Sequence, residues 1–472
     1  MSAAPAEMAQ TWTSPTPDRR RWTALAFIAI AQLMIALDAT IVSIALPSAQ
    51  ASLGASDADR QWIVTAYALA FGGLLLLGGK LADYAGRKRA FLIGLAGFAV
   101  ASAIGGAAPS FTVLVAARAM QGAFAALLAP TALSLLAVSF TEPRERATAF
   151  AVYGSIAGSG AAIGLLLGGA LTEYLTWRWC LYVNVPIAVI AAAGGWLVLP
   201  AGGRRAKGAF DLPGAALAAG GMVALVYSST AGLGLLAVGC VLLAVFVLRE
   251  SRTANPLLPL RILANRNRGG AYITVALAIA GMFGAFLFLT YYLQVVFRFT
   301  PLQAGLAFLP MTIASQAGSW LIASRLMPYL PPRALMAPGA AVAAAGMALL
   351  TQLHTDSAYL SLVLPAEVLL GLGISCVMVP AFSTATHGID PREAGVASAA
   401  VNAAQQIGGS LGTAALNTIA ISATAGYAGP RAAALVHGFS VATGWGTAIL
   451  LISALAAALL ITAPGPSRGR SR

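Results

Sequence analysis

The stretch Gly79-Lys80-Leu81-Ala82-Asp83-Tyr84-Ala85-Gly86-Arg87-Lys88-Arg89 sets four basic side chains and one acid between two apolar runs, residues 61–82 and 90–108. A segment this charged cannot lie in hydrocarbon, whereas about 20 apolar residues are what a helix needs to cross a bilayer. The stretch therefore reads as a short turn between two membrane spans. Gly79 and Gly86 allow the chain to reverse tightly, and Asp83 is placed to accept from Arg87 or from helix-terminal amides. Its basic residues put it on the cytoplasmic side, where Lys and Arg collect.

Outward from this turn the pattern repeats. The first apolar run extends from Trp22 to about Leu46, too long for a signal-peptide core and interrupted by Asp38. Others follow at 111–138, 147–172, 180–199, 212–229, 232–248, 270–293, 302–325, 334–352, 357–383, 394–420 and 440–461. The expected architecture is an all-α polytopic membrane protein with fourteen spans. Spans seven and eight are short and closely linked, so twelve is the competing count.

Of 472 residues, 59% are hydrophobic and 9% charged, against about 25% charged in a soluble domain. That excludes an ordinary soluble protein and a disordered chain. The net charge of +13, from 28 basic and 15 acidic residues, is of the sign that binds nucleic acid, but its distribution is not that of a binding surface. With the N-terminus inside, cytoplasmic segments hold Arg19, Arg20, Arg21, Arg87, Lys88, Arg89, Arg144, Arg146, Arg204, Arg205, Lys207, Arg249, Arg266, Arg268 and Arg333. Outer loops hold only Arg60, Arg178, Arg298 and Arg431. The charge is an orientation signal, both ends are expected in the cytoplasm, and no nucleic-acid partner is implied. Residues 1–21 and 462–472 are expected to be cytoplasmic tails, the first of them disordered. The three cysteines lie far apart, with no disulfide or metal-ligand spacing.

Three weak internal matches recur at a shift of about 245–249 residues, the signature of a duplicated transporter half. Leu81, Tyr84, Lys88 and Gly94 align with Leu326, Tyr329, Arg333 and Gly339. Ala117, Arg118 and Gly122 align with Ala366, Glu367 and Gly371, and Gly160 and Gly164 with Gly408 and Gly412. The expected organisation is a six-helix half at 22–199, an inserted pair of spans with cytoplasmic linkers at 200–269, and a second six-helix half at 270–461.

The string G-x-L-A-D-x-x-G-R-K-R at Gly79–Arg89 resembles the signature loop of the major facilitator superfamily. Further strings are similar to its fourteen-span drug:proton antiporter branch. These are Leu37-Asp38-Ala39-Thr40 through Pro47, Gln61-Trp62-Ile63 through Tyr67, and Leu114-x-x-x-Arg118-x-x-Gln121-Gly122. Trp177-Arg178-Trp179 with Asn184-Val185-Pro186, and Pro301-Leu302-Gln303-Ala304-Gly305, complete the set. The resemblance implies a multidrug efflux transporter of the bacterial inner membrane, working by alternating access and driven by protons without any cofactor. It implies a conformational gate at Gly79, Asp83, Gly86, Arg87 and Lys88, and a helix-packing motif at Gly160, Gly164, Gly168 and Gly169. Two departures stand out. Leu165 replaces the motif's proline and Ala151 its leading glycine, and Pro328 occupies the position aligned to Asp83.

Asp38, Arg118 and Glu367 are the charges well inside the spans. Each costs at least ~2.5–3.5 kcal/mol at the bilayer centre, so each needs a partner or a wet cavity. At 1.5 Å per residue all three lie roughly 14–15 Å below the outer surface. They form the expected proton-coupling set; the resemblance, in which spans 1 and 4 and their repeat partners line a central cavity, implies that Glu367 faces the same cavity as Arg118. The competing readings are a structural hydrogen bond for Asp38, a static counter-ion for Arg118, and snorkelling or helix packing for Glu367. Gln121, Asn402, Gln405, Gln406 and Phe286 are the expected cavity residues, and Met282, Phe283, Phe288, Tyr291 and Tyr292 fit either a greasy pocket or a lipid-facing belt. The expected partners are protons, lipid and small amphipathic substrates, cationic ones among them. A dedicated exporter of one metabolite or antibiotic is the alternative. A membrane enzyme or a channel is more remote, because the three His are scattered and no filter-like run appears.

Overall fold

The computed structural model describes residues 18–140, 142–199, 211–231, 233–253, 260–327, 329–386 and 394–462. The first set of helices is α1 (Asp18–Leu53), α2 (Trp62–Ala85), α3 (Arg87–Gly106), α4 (Phe111–Ser139), α5 (Pro143–Tyr174) and α6 (Trp179–Val198). A pair follows, α7 (Leu212–Ala231) and α8 (Leu233–Arg252). The second set is α9 (Arg266–Val296), α10 (Pro301–Leu326), α11 (Pro332–Leu350), α12 (Tyr359–Ala385), α13 (Ala394–Ala425) and α14 (Arg431–Leu460). Among the described residues, ten helices are long and apolar enough to cross a membrane, and three shorter apolar helices lie in α2, α5 and α7. The protein is an all-helical, multi-pass membrane protein.

The two sets pack alike. In the first, α1 packs on α5 and α6, α2 on α4, and α3 on α4 and α6. Adding eight to each number gives the second: α9 on α13 and α14, α10 on α12, α11 on α12 and α14. The sets meet along two seams, α2 with α13 and α5 with α10. Helix α7 lies over the first seam, where Met222 joins Trp62, Leu69, Leu411 and Ala414 in one cluster. Helix α8 leaves Val238, Val241, Val245 and Leu248 exposed, an apolar face suited to lipid rather than water.

Glycines set the helix spacing. A Cβ on Gly78 would fall 2.1 Å from the Ala126 carbonyl oxygen, and one on Gly122 2.3 Å from that of Tyr67. Both values lie far inside van der Waals contact, so α2 and α4 touch backbone to backbone. Small residues permit this close approach in membranes. Gly86, at φ 87°, is the single residue between α2 and α3; it takes a left-handed backbone that side chains resist.

Two expected boundaries shift. Helix α1 starts at Asp18, so Arg19–Arg21 are helical rather than part of a disordered tail. Nothing breaks the helix there, and Arg21 pairs with Glu145 at the start of α5 at 2.8 Å. Helix α1 also continues through Pro47 to Leu53, because a proline removes only one i to i−4 hydrogen bond. Residues 1–17, 200–210 and 463–472, together with Pro328 and the Asp83 side chain, lie outside what is described.

Candidate functional site

Asp38 and Arg118 are 0% and 1% exposed and form an ion pair, Arg118 Nη1 to Asp38 Oδ2 at 2.6 Å. The second carboxylate oxygen accepts from Asn184 Nδ2 at 2.8 Å and Gln121 Nε2 at 3.1 Å. Gln121, one turn from Arg118 on α4, also accepts from Arg118 Nη1 at 2.8 Å and donates to Ser102 Oγ at 2.7 Å. Arg118 Nε donates to the Ile63 carbonyl at 3.0 Å, and its guanidinium lies 4.5 Å from the Tyr67 ring centre. Five helices, α1, α2, α3, α4 and α6, are therefore tied at one buried point. Gln121 belongs to this network, not to the cavity where the sequence placed it, because it faces Asp38 and Ser102. Asn184 was visible only as part of a motif string; a lone amide in an apolar span was the signal that could have marked it.

Glu367 stands apart. It is 0% exposed and lies between α10 and α12 rather than facing the cavity with Arg118, whose guanidinium turns to Asp38 instead. Its Oε2 is 3.3 Å from the Tyr359 hydroxyl and its Oε1 has no partner. The same hydroxyl donates to the Ala307 carbonyl of α10 at 2.6 Å.

Between the two sets of helices lies a cavity of about 370 Å³, within the usual range for small-molecule sites. Its wall mixes apolar and weakly polar groups: Met282, Phe283, Phe286, Met311, Ile374 and Met378 with Thr40, Ser43, Ser315, Gln316, Gln405 and Thr413. Flexible Met and aromatic surface suits varied organic shapes. Phe286 and Gln405 line this cavity. Asn402 and Gln406 do not line the cavity; Gln406 packs toward α2, its Cβ 2.7 Å from where a Cβ on Gly72 would be. Phe288, Tyr291 and Tyr292 are buried and face neither lipid nor the cavity. Asp38 and Glu367 sit just behind the wall, beside Ala39 and one turn from Gly371 respectively.

The glycine motif of α5 faces two ways. Cβ atoms on Gly160, Gly164 and Gly168 would meet Ala36 Cβ at 2.6 Å, Thr40 Oγ1 at 2.1 Å and the Ile41 carbonyl at 2.7 Å, all on α1. One on Gly169 would lie 2.7 Å from the Pro301 carbonyl of α10, and one on Gly305 2.5 Å from that of Leu165. Leu165, where the family motif has proline, is buried in a continuous helix. In the signature loop, Lys88 donates to the Trp196 and Leu199 carbonyls at 2.6 and 2.8 Å, closing the C-terminal end of α6.

At the helix ends away from the Gly79–Arg89 loop the two sets are joined. Arg60, expected as an exposed loop charge, is 2% exposed; its Nε and Nη2 donate to Asn417 Oδ1 at 3.3 and 3.1 Å. Its guanidinium lies 4.0 Å from the Tyr291 ring centre, and Tyr291 donates to Gln50. Gln294 Nε2 donates to the Ile44 carbonyl at 2.9 Å, and Glu173 accepts from the Leu302 amide at 3.1 Å. Asn417, the Tyr291 ring and the Asp57 carboxylate, 3.6 Å from Arg60 Nη1, replace the hydration that the buried Arg60 cation loses.

The comparisons with known proteins agree with this arrangement. The model of the Major Facilitator Superfamily matches residues 28–413. The chain is 51% identical to the puromycin resistance protein pur8 of Streptomyces alboniger, over 98% of this chain and 95% of that protein. It is 40% identical to the cephamycin export protein CmcT of Amycolatopsis lactamdurans, covering 86% of each. It is 33% identical to the multidrug efflux pump LfrA of Mycolicibacterium smegmatis, covering 86% and 82%. Among solved structures, a bacterial homologue of the human lysosomal transporter Spinster superposes with a TM-score of 0.68 at 17% identity, covering 94% of this chain and 98% of that one. With its paired helix sets, its central cavity and its matched sequence, this chain belongs to the major facilitator superfamily.

Proposed function

We propose that the protein is a proton-driven exporter of amphipathic organic compounds, antibiotics among them, in the cytoplasmic membrane of a bacterium. The observation that carries this reading is the apolar, Met- and Phe-rich cavity between the two helix sets, joined to close relatives named for antibiotic export and resistance. The chain has fourteen spans and cytoplasmic ends in this reading. Residues 22–199 and 270–461 form two rocking halves, and 200–269 carries the inserted pair.

The outer contacts of Arg60, Gln294 and Glu173 support a conformation closed toward the outside. Export requires that these contacts break while the cytoplasmic ends close, with Gly79, Asp83, Gly86, Arg87 and Lys88 at that inner gate. Asp38, Arg118 and Glu367 couple the motion to protons. One charge crossing ~100 mV releases ~2.3 kcal/mol, enough for a roughly 50-fold gradient per proton. No nucleotide-binding loop is needed, and none of the form GxxxxGK[ST] is present in the sequence.

A dedicated exporter of one antibiotic is the second reading, favoured by the 51% identity to a protein named for a single drug. One experiment separates them. Inverted vesicles containing the protein are given puromycin, lincomycin, a cephamycin and ethidium, with and without an imposed proton gradient. Gradient-dependent uptake of several compounds supports the broad reading, and uptake of one supports the narrow reading. Uptake of none, at any gradient, refutes both.

A further inference from the structure

The cavity wall is polar without being charged. Its hydrogen-bonding side chains are all serine, threonine or glutamine, and among the described residues none that lines it carries a charge. The two acids just behind the wall are held elsewhere. Asp38 turns to Arg118, Asn184 and Gln121, so the ion pair shows the cavity no net charge. Glu367 is buried behind Gly371, where its Oε2 accepts from the Tyr359 hydroxyl at 3.3 Å. Among the described residues no titratable side chain of α2, α9, α10 or α13 lines the cavity.

The polar groups on the wall are of two kinds. Thr290 and Thr312 donate to the Phe286 and Phe308 carbonyls one turn back, the usual partner for a hydroxyl inside a helix. Ser43, Ser315, Gln316, Gln405 and Thr413 bond through their side chains to no described residue. Gln316 lies ten residues before the end of α10 and Gln405 eleven after the start of α13. Both carboxamides therefore come roughly 15–17 Å from the helix ends on the side of the Gly79–Arg89 loop, and each can donate and accept. The surface given by α9 and α12 is mostly apolar. Within it Phe286 is backed by Phe308, ring centres 5.1 Å apart and 19° from parallel, a face on which a flat ring stacks.

A cation entering this cavity leaves its hydration behind and meets no counter-charge, the situation that buried charges avoid. A ring face attracts a cation, but weakly beside the hydration lost. An uncharged amide, hydroxyl or amine exchanges its bonds to water for bonds to two glutamines and three hydroxyls, at little net cost.

We propose that the cavity selects uncharged molecules in which a flat aromatic part is joined to a neutral hydrogen-bonding part. A weak base then enters only after leaving its proton in the surrounding water, and a fixed cation is refused. This rests on the exporter reading and deepens it, by naming the form in which an amphipathic compound is taken. The expectation of cationic substrates narrows to compounds able to shed their charge.

The test compares three forms of one scaffold: puromycin, whose amine titrates; its analogue with a hydroxyl in place of the amine, never charged; and its N-trimethyl derivative, always charged. Equilibrium binding to the purified full-length protein in detergent is measured across the pH range in which the amine titrates. The hydroxyl analogue should bind equally at every pH. Puromycin should weaken about tenfold for each unit below the amine's own pKa, as its unprotonated fraction falls by that factor. The trimethyl derivative should bind at least about tenfold more weakly than the hydroxyl analogue. Gln405→Glu, which sets an acid on the wall, should tighten binding of the trimethyl derivative by about tenfold or more, and Gln316→Glu makes the same test from α10. That gain also separates charge from bulk, since the added methyl groups are present in both measurements. Trimethyl binding to the wild type within about twofold of the hydroxyl analogue overturns the proposal; if Glu367→Gln abolishes such binding, that acid is the cation's partner. A pH dependence shared by the hydroxyl analogue, a trimethyl derivative that neither acid admits, or binding by none of the three forms, overturns it as well. The exporter reading stands through all of these and fails only when the vesicle panel shows no gradient-dependent uptake.

Discussion

Replacing Asp38 by asparagine tests the buried pair most directly. The two carboxylate oxygens divide the work: Oδ2 receives Arg118 at 2.6 Å, and Oδ1 receives Asn184 and Gln121. An asparagine keeps only one oxygen. If that oxygen faces Arg118, its amino group meets two amide donors. Asn184 can turn its unpartnered Oδ1 toward it, but Gln121 cannot turn without presenting its own amino group to Arg118. A guanidinium only 1% exposed is left without a counter-ion. Breaking a buried pair from one side costs about 3–5 kcal/mol, and the clashing donor adds about 1–3 kcal/mol if nothing relaxes. The expected loss for Asp38→Asn is about 3–5 kcal/mol, with the protein still inserted and export abolished. In Asp38→Asn with Arg118→Gln the orphaned charge is gone, so more than half of the stability should return, although export should not. Unfolding followed by tryptophan fluorescence in detergent, with size-exclusion chromatography, reads both variants. Wild-type stability in Asp38→Asn, or costs that simply add in the double variant, would refute the pairing.

Other outcomes follow from contacts elsewhere. Gly371→Ala places a Cβ 2.2 Å from the Met311 carbonyl, so α10 and α12 must part. A loss of about 1–3 kcal/mol is expected, seen as less folded protein by chromatography; an unchanged yield and melting point would contradict the close approach. Arg60→Gln removes the cation held by Asn417 and Tyr291. With Cys180, Cys240 and Cys376 replaced by alanine, a cysteine introduced at Thr413 should react several-fold faster with a maleimide added from outside, and an unchanged rate would rule out an outer closure at Arg60. Phe286→Ala takes away the ring stacked on Phe308 at 5.1 Å and widens the cavity. Half-maximal uptake of aromatic probes should shift about fivefold or more, with little change for aliphatic ones, and an equal shift for both would separate Phe286 from binding.

Most of the helical frame could be read from residue type alone, because lipid forces each span to be a continuous apolar helix and loops to gather the charge. The level of Asp38 and Arg118 was also legible, since rise per residue fixes depth. What could not be read was direction around each helix. Gln121, Asn402, Gln405 and Gln406 all lie on helices near the cavity, yet only Gln405 lines it. A few tens of degrees of rotation decide this, and packing of glycines on neighbouring backbones sets the rotation. Arg60 departs from expectation for a related reason: a loop position suggests exposure, and only tertiary structure brings Asn417 and Tyr291 around it.

The α2–α13 seam has a consequence of its own. These helices run antiparallel, from Gly72 beside Gln406 to Arg60 beside Asn417, so Thr65 comes level with Thr413 and Gln61 with Asn417. Both polar atoms of Gln61, with the hydroxyls of Thr65 and Ser410, are buried there without partners among the described residues. The α5–α10 seam is the opposite, glycine against carbonyl on both sides. One seam is thus lined with polar side chains and the other is backbone against backbone, so parting α2 from α13 brings hydroxyl and amide groups to water, while parting α5 from α10 gives up the close fit at Gly169 and Gly305.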